Sequence, residues 1–419
     1  MAPIAVEGAL LDGEEVGLRA GDDGLIAELG PEVEPAPGEQ VIDGRGRTLL
    51  AGFVNGHTHA AMTLFRGYAD DLPLLEWLED HIWPAEARLD ADDVYWGTRL
   101  ACIEMIRNGT VRFWDMYWQP GATARAVADA GLRATVGAPL IDRGDPSGLA
   151  KLRHDAAAGL AEVAELGTDL VTSSLAPHAI YTVSNESLEW IAAEAERLRL
   201  PIQIHVSETE GEVEGCLRAH GVRPVELLDR LGLLGERTLL AHSVWIDEHE
   251  RELIAAAGAT VVTNPVANMK LAVGAAFDLP AVQRHGIPVG LGTDGAGSNN
   301  SLDPLADAKF LALLQKHEAA DAAVADAEEV LAIATGARAP LLGASPIEVG
   351  APADFILVDT ATPELGLGSL AAGLVYAASG AVVETTVVGG RVLMSDGVVA
   401  GAAEALERAR ERAERIGVR

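Results

Sequence analysis

Histidine and carboxylate side chains recur along this chain at the ends of short apolar runs. His57-Thr58-His59 follows Leu49-Leu50-Ala51-Gly52-Phe53-Val54, and His205 closes Leu200-Pro201-Ile202-Gln203-Ile204. His242 closes Thr238-Leu239-Leu240-Ala241, and Asp294 closes Ile287-Pro288-Val289-Gly290-Leu291-Gly292-Thr293. Each of these side chains can hold a metal or a proton, and each apolar run reads as a buried strand. On a strand, His57 and His59 point the same way and can chelate one ion. Glu208 stands three residues after His205. A lone buried histidine is more often a satisfied core residue; recurrence at successive strand ends is what points to chemistry.

Such ends meet only if the strands run parallel, because the C-terminal ends of a parallel barrel converge on one mouth. The middle of the chain alternates apolar strands with Ala/Leu/Glu-rich helices, the pattern of a parallel α/β sheet. Strands are expected at Thr135–Leu140, Leu170–Leu175, Pro201–His205, Thr238–His242, Thr260–Asn264 and Pro288–Asp294. Helices are expected at Ala87–Arg107, Ser184–Arg197, Val222–Leu231 and Asp303–His317, with a packing helix over 402–418. Residues 1–50 and 351–400 are instead short β-like runs broken by Gly, Asp and Pro, and Gly389-Gly390 between two of them signals a hairpin. The expected architecture is a distorted (β/α)8 barrel over 51–346, inserted into a small β-sandwich domain built from 1–50 and 347–419 together with the C-terminal helix.

The length of 419 residues suits a barrel of about 250–300 residues plus that smaller module. A net charge of −32 excludes a nucleic-acid or anionic-membrane partner, since both need a basic surface. Two cysteines, Cys102 and Cys216, do not make a disulfide scaffold. No basic leader and no apolar stretch of about 18 residues is present, so a cytoplasmic protein is expected. Gly290-Leu-Gly292-Thr-Asp-Gly295 matches G-x-G-x-x-G formally, but it lies late in the chain without an acidic partner, and its glycines read as room for backbone around Asp294.

Gly52-Phe-Val-Asn-Gly-His57-Thr-His59, His205-x-x-Glu208, His242 and Gly292-Thr-Asp294 together resemble the amidohydrolase superfamily. Met62-Thr-Leu-Phe-Arg-Gly-Tyr-Ala-Asp-Asp-Leu-Pro-Leu-Leu-Glu-Trp77-Leu, Asn264-Pro-Val-Ala-Asn-Met-Lys-Leu and Gly295-Ala-Gly-Ser-Asn-Asn-Ser-Leu-Asp narrow the resemblance. They point to its branch of S-adenosylhomocysteine/methylthioadenosine deaminases and triazine hydrolases. The resemblance spans essentially the whole chain.

It implies that His57, His59, His205 and Asp294 bind one divalent metal, Zn²⁺ first, with Fe²⁺ or Mn²⁺ as alternatives. Relatives with two metals bridge them with a mid-barrel lysine; here that strand reads Ser173-Ser-Leu-Ala-Pro-His178, which implies a single ion. Glu208 is then the proton shuttle, His242 orients or deprotonates the water, and Asp294 shares the base role. Trp77, Glu86, His178 and Ser298 are the implied substrate contacts, Glu86 accepting from ribose hydroxyls. Arginines that grip the 5′ substituent in some relatives have no clear counterpart in Gly137-Ala-Pro-Leu-Ile-Asp-Arg143.

The implied reaction is hydrolytic deamination of an adenosine-type nucleoside: S-adenosylhomocysteine, methylthioadenosine, 5′-deoxyadenosine or adenosine. The alternatives are another N-heterocycle hydrolase, acting on a guanine-like base, pterin or triazine, and a non-catalytic assembly protein. The partner is a small molecule, and homo-oligomers are open because such barrels often associate.

Overall fold

The apolar runs that carry the histidines become strands that all point the same way. In the computed structural model, which describes residues 3–419, Phe53–Thr58, Thr110–Met116, Arg133–Gly137 and Val171–Ser173 form one four-stranded parallel arc. Ile202–Val206, Thr238–His242, Thr260–Thr263 and Val289–Leu291 form a second. The arcs meet on one side through parallel bridges at Leu175–Ile202 and Ala179–His205. On the other side the Asp294 N–H donates to the His57 carbonyl at 3.0 Å. The ladder is thus interrupted at two seams, and both lie beside histidine-bearing strand ends.

Helices return the chain from one strand to the next, and their starts are written in the sequence. Asp90 and Asp93 exchange reciprocal capping bonds at Ala91–Arg107, and Asp247 with Glu250 does the same at Glu248–Ala257. Val54, Trp114, Leu239, Ala241, Val262 and Leu342 pack into a cluster inside the strands. Polar chemistry is left to the strands' C-terminal ends.

The chain termini supply one nine-stranded sheet. Its two halves join where Arg47–Ala51 runs antiparallel to Phe355–Asp359, with Phe355 opposite Ala51. Ile4, Leu18, Ile26, Leu49, Phe355 and Val387 form its buried apolar face. The expected hairpin turn is present: Gly389 and Gly390 adopt φ of +54° and +72°, values that suit glycine. The expected two-layer sandwich is not what the hydrogen bonds trace, for their path follows a single sheet. Ala402–Arg415 packs against Ala91–Arg107, where the Arg415 Nε donates to buried Asp93 at 3.0 Å.

Local differences from the sequence reading have steric or chemical causes. The run Leu49–Val54 divides at Gly52, where a Cβ would lie 2.2 Å from Val111 Cγ1. One half joins the terminal sheet and the other becomes the first barrel strand. Thr110–Met116 escapes the apolar pattern because Arg112 and Asp115 interrupt it. The long helix begins at Ala91 rather than Ala87; before it, residues 74–86 form short turns, including a widened π-type turn at Trp77–Ile82. Among the described residues no helix is long and apolar enough to cross a membrane.

The barrel is tied to the terminal sheet by Asp354, whose side chain is 1% exposed. It accepts from Arg133 Nε at 2.7 Å, Gly389 N at 2.6 Å and Ser345 Oγ at 3.0 Å. Removing one partner of a buried pair strands the other charge. Asp354→Ala is therefore expected to lower the unfolding free energy by about 3–5 kcal/mol, read from urea midpoints at unchanged slope. A loss below about 1 kcal/mol is the contrary outcome.

Candidate active site

Four side chains from three strand ends converge at the mouth. His205 Nε2 lies 3.1 Å from His57 Nε2 and 3.3 Å from His59 Nε2. Asp294 Oδ1 lies 3.2 Å from His59 Nε2 and 3.6 Å from His57 Nε2. Two backbone carbonyls set the tautomers. His59 Nδ1–H donates to Met116 O at 2.6 Å, and His205 Nδ1–H donates to His178 O at 2.7 Å. With those protons outward, each Nε2 turns a lone pair to the centre. Lone pairs and a carboxylate facing one another at such distances need a cation between them. The buried Asp294 Oδ1 has no hydrogen-bond partner.

The electrostatics say the same. Burial disfavours charge on His57 and brings its pKa down to about 4. At His59 burial acts in the same direction, but the bond and field of Asp294 outweigh it and raise the pKa to about 9. Asp294 is held well below the usual carboxylate range: burial opposes its charge, and the bonds from His57 and His59 overcome that. The cage favours positive charge at its centre. Three imidazole nitrogens and one carboxylate oxygen fit a borderline divalent cation, and His57, His242 and Asp294 form a second overlapping donor group. Among the described residues no lysine lines the mouth.

Glu208 and His242 face this centre from adjacent strands. Glu208 is 7% exposed, and its N–H is held by Glu212 Oε2 at 2.9 Å, so it stands ahead of the helix Glu210–His220 and not on its solvated face. Burial raises its pKa, His242 opposes that, and Asp294 adds to it. The His242 Nδ1–H donates to Asn268 Oδ1 at 2.8 Å, leaving Nε2 as the free acceptor. Ser298 Oγ donates to Asp294 Oδ2 at 2.6 Å, so the contact it makes is with this carboxylate. The last strand stops at Leu291, and Asp294 lies on the turn beyond it.

Ser207, His242, Ser243 and Asp294 all carry positive φ, between +50° and +68°. Left-handed backbone at non-glycine residues is strained and persists only where surroundings enforce it. Here Val206 O accepts from Ser243 N at 3.0 Å, Ser207 O accepts from Trp245 N at 2.8 Å, and Asp294 O accepts from Thr58 Oγ1 at 3.0 Å. Gly292 is required for packing: a Cβ there would sit 2.2 Å from Asn264 Oδ1. That close approach gives the glycines of the G-x-G-x-x-G match a reason unrelated to dinucleotides.

A cavity of about 680 Å³, measured with its solvent-open part, rises from the centre. His59, His205, Glu208, His242 and Asp294 line its floor, and the expected contacts Trp77, Glu86, His178 and Ser298 all reach it. His57 lies beneath, fully buried. His178 is kept neutral by burial, with its pKa down to about 3, and its Nδ1 pairs with Thr182 Oγ1 at 3.1 Å. Glu86 accepts from Trp118 Nε1 at 3.0 Å, and burial raises its pKa against that bond. Sequence reasoning missed Asn268, Tyr117 and Trp118. Asn268 was legible as a polar residue inside the motif Asn264–Leu271. The aromatic pair follows the strand Thr110–Met116, which the apolar pattern did not mark.

Comparison with known proteins agrees with this geometry. The model of the amidohydrolase family matches residues 48–393. A 5′-deoxyadenosine deaminase of Methanoregula boonei is 45% identical over 397 residues, 93% of this chain and 90% of that protein. A 5-methylthioadenosine/S-adenosylhomocysteine deaminase of Archaeoglobus fulgidus is 44% identical, with 93% of each chain covered. The crystal structure of an adenosine deaminase from Xanthomonas campestris with bound zinc superimposes with a TM-score of 0.91 at 33% identity, covering 100% of this chain and 99% of that one.

Ser298→Ala removes the hydroxyl that holds Asp294 Oδ2. Its metal affinity, measured by competition with a chromogenic chelator, is expected to fall about 10- to 100-fold with the fold intact. Unchanged affinity would show that Asp294 is positioned without Ser298.

Proposed function

The chain belongs to the amidohydrolase family, and from that premise we propose that it deaminates an adenosine-type nucleoside hydrolytically, giving the 6-oxo analogue and ammonia. One observation carries the reading: a single cavity holds the His/Asp centre with Glu208 and His242 on its floor and Glu86 on its wall. Glu86 is a carboxylate suited to accept from ribose hydroxyls, and a free base or triazine has no use for it.

His57, His59, His205 and Asp294 are the proposed ligands of one divalent cation, Zn²⁺ in preference to Fe²⁺ or Mn²⁺; the zinc in the Xanthomonas campestris structure supports that choice. Such a cation acidifies a water and supplies electrophilic assistance. Glu208, whose carboxyl pKa is raised by burial, gives its proton to the ring nitrogen beside the amine-bearing carbon. His242, oriented by Asn268, accepts the water proton through Nε2 as the C–O bond forms. Glu208, now a carboxylate, takes the remaining hydroxyl proton and passes it to the amine. The C–O bond becomes a carbonyl as the C–N bond breaks, ammonia departs, and the proton held by His242 returns to Glu208. Asp294 shares the base role, held in place by Ser298 at Oδ2. Trp77 and His178 hold the heterocycle, and Ser298 closes the wall beside it.

The scaffold reading goes with this. The two parallel arcs support a distorted (β/α)8 barrel over 51–346, and the pairing of Phe355 with Ala51 supports a terminal domain of 1–50 and 347–419. Two free buried cysteines support a cytoplasmic setting.

Glu208→Gln is expected to keep its metal, as measured by elemental analysis, while ammonia release falls at least about 10²-fold. Near-normal turnover excludes Glu208 as the shuttle. Glu86→Ala is expected to raise KM for nucleosides about 10- to 100-fold, the worth of hydrogen bonds to a charged group, and to leave free adenine unaffected. Equal losses on both would remove Glu86 from the ribose.

A further inference from the structure

The charged side chains that line the cavity are carboxylates and imidazoles. Glu86, Glu208 and Asp294 reach it, and among the described residues neither arginine nor lysine does. Above the floor the wall is apolar or aromatic: Leu74, Leu78, Ile82, Ile141 and Leu271, with Tyr181 at the rim. The groove that continues past Leu74, Tyr181 and Glu208 adds Glu79, Glu186 and Glu212. Its one arginine, Arg218, is already paired with Glu214 at 3.2 Å.

The neighbouring cation is committed as well. Lys270, next to Leu271 in the chain, binds Asp70 Oδ1 at 2.7 Å, Gly297 O at 3.1 Å and Asn300 Oδ1. It ties the end of the helix Pro265–Lys270 to two loops, one carrying Asp70 and the other Gly297 and Asn300. Arg143, two residues after Ile141, is exposed and outside the cavity lining.

An anion entering this space loses water without gaining a side-chain cation, and the groove beyond adds further acidic side chains. We propose that the site selects its nucleoside by charge at the 5′ position, accepting uncharged or cationic substituents and rejecting those that carry an anionic group, the carboxylate of a zwitterionic amino-acid tail included. This rests on the nucleoside reading above and adds the substrate class to it. Short neutral 5′ groups such as a methyl or methylthio fit the apolar wall. A carboxylate-terminated thioether or a 5′-phosphate has no partner there.

The experiment compares kcat/KM of the metal-loaded protein on adenosine, methylthioadenosine, S-adenosylhomocysteine, its decarboxylated 3-aminopropyl thioether, and adenosine 5′-phosphate. Methylthioadenosine is expected to exceed S-adenosylhomocysteine at least about tenfold and the 5′-phosphate at least about a hundredfold, the scale of an unpaired buried charge. The decarboxylated analogue is expected within about fivefold of methylthioadenosine, which separates charge from length. Arg143→Ala is expected to leave these ratios unchanged. S-adenosylhomocysteine within about threefold of methylthioadenosine overturns the proposal. So does a decarboxylated analogue as poor as its parent, or a selective loss of S-adenosylhomocysteine turnover in Arg143→Ala. Failure to deaminate even adenosine is a different result, and it removes the nucleoside reading itself.

Discussion

Asp294 is a buried carboxylate set among imidazoles whose lone pairs are aimed at it. No arrangement of neutral side chains relieves that arrangement; only positive charge at the centre does. His59, with its pKa lifted to about 9, shows the demand in protein terms. The tautomers, the strained backbone at Asp294 and His242 and the hydroxyl of Ser298 all serve to keep these donors convergent. Without the fold around them the donors would separate, since like groups have no attraction of their own.

The barrel supplies the convergence at modest cost because parallel strands end together. Its ladder yields at two seams, and both coincide with strands that must turn histidines inward. One seam is bridged at Ala179–His205 and the other by the bond from Asp294 N to His57 O. The same backbone groups thus link the two arcs and orient the His/Asp cluster, so scaffold and site are not separable. The terminal sheet stands apart from the site and reaches the barrel through Asp354 and Arg133.

Two carboxylic acids share the cavity with different work to do. Glu208 sits on the floor beside the centre, where burial raises its pKa. Glu86 sits on the wall against Trp118, which donates to it at 3.0 Å. Their separation gives the cavity one acidic group beside the His/Asp centre and another away from it. Between them the wall is apolar and free of cations, a combination that favours a flat heterocycle and a neutral tail.

Much of this was legible in the chain. The ligand types, their order, the parallel architecture and the terminal β segments follow from short-range pattern: apolar runs of strand length, each closed by a residue able to bind metal or protons. Gly389-Gly390 marked its own turn, and Ser184 its own helix start, because caps and turns are local. What the pattern did not hold was anything decided by contact between distant segments. The break at Gly52 is set by Val111, the hydroxyl of Ser298 is claimed by Asp294, and Asn268 fixes His242 from the helix Pro265–Lys270 that follows another strand. Thr110–Met116 was hidden because Arg112 and Asp115 break its apolar run, and Asp115 meets its partner, the Ala60 N–H, only in the folded protein. Sequence by itself determined which groups exist and how often they recur; tertiary structure alone decided which of them touch, because contact across the mouth depends on strand register and not on spacing along the chain.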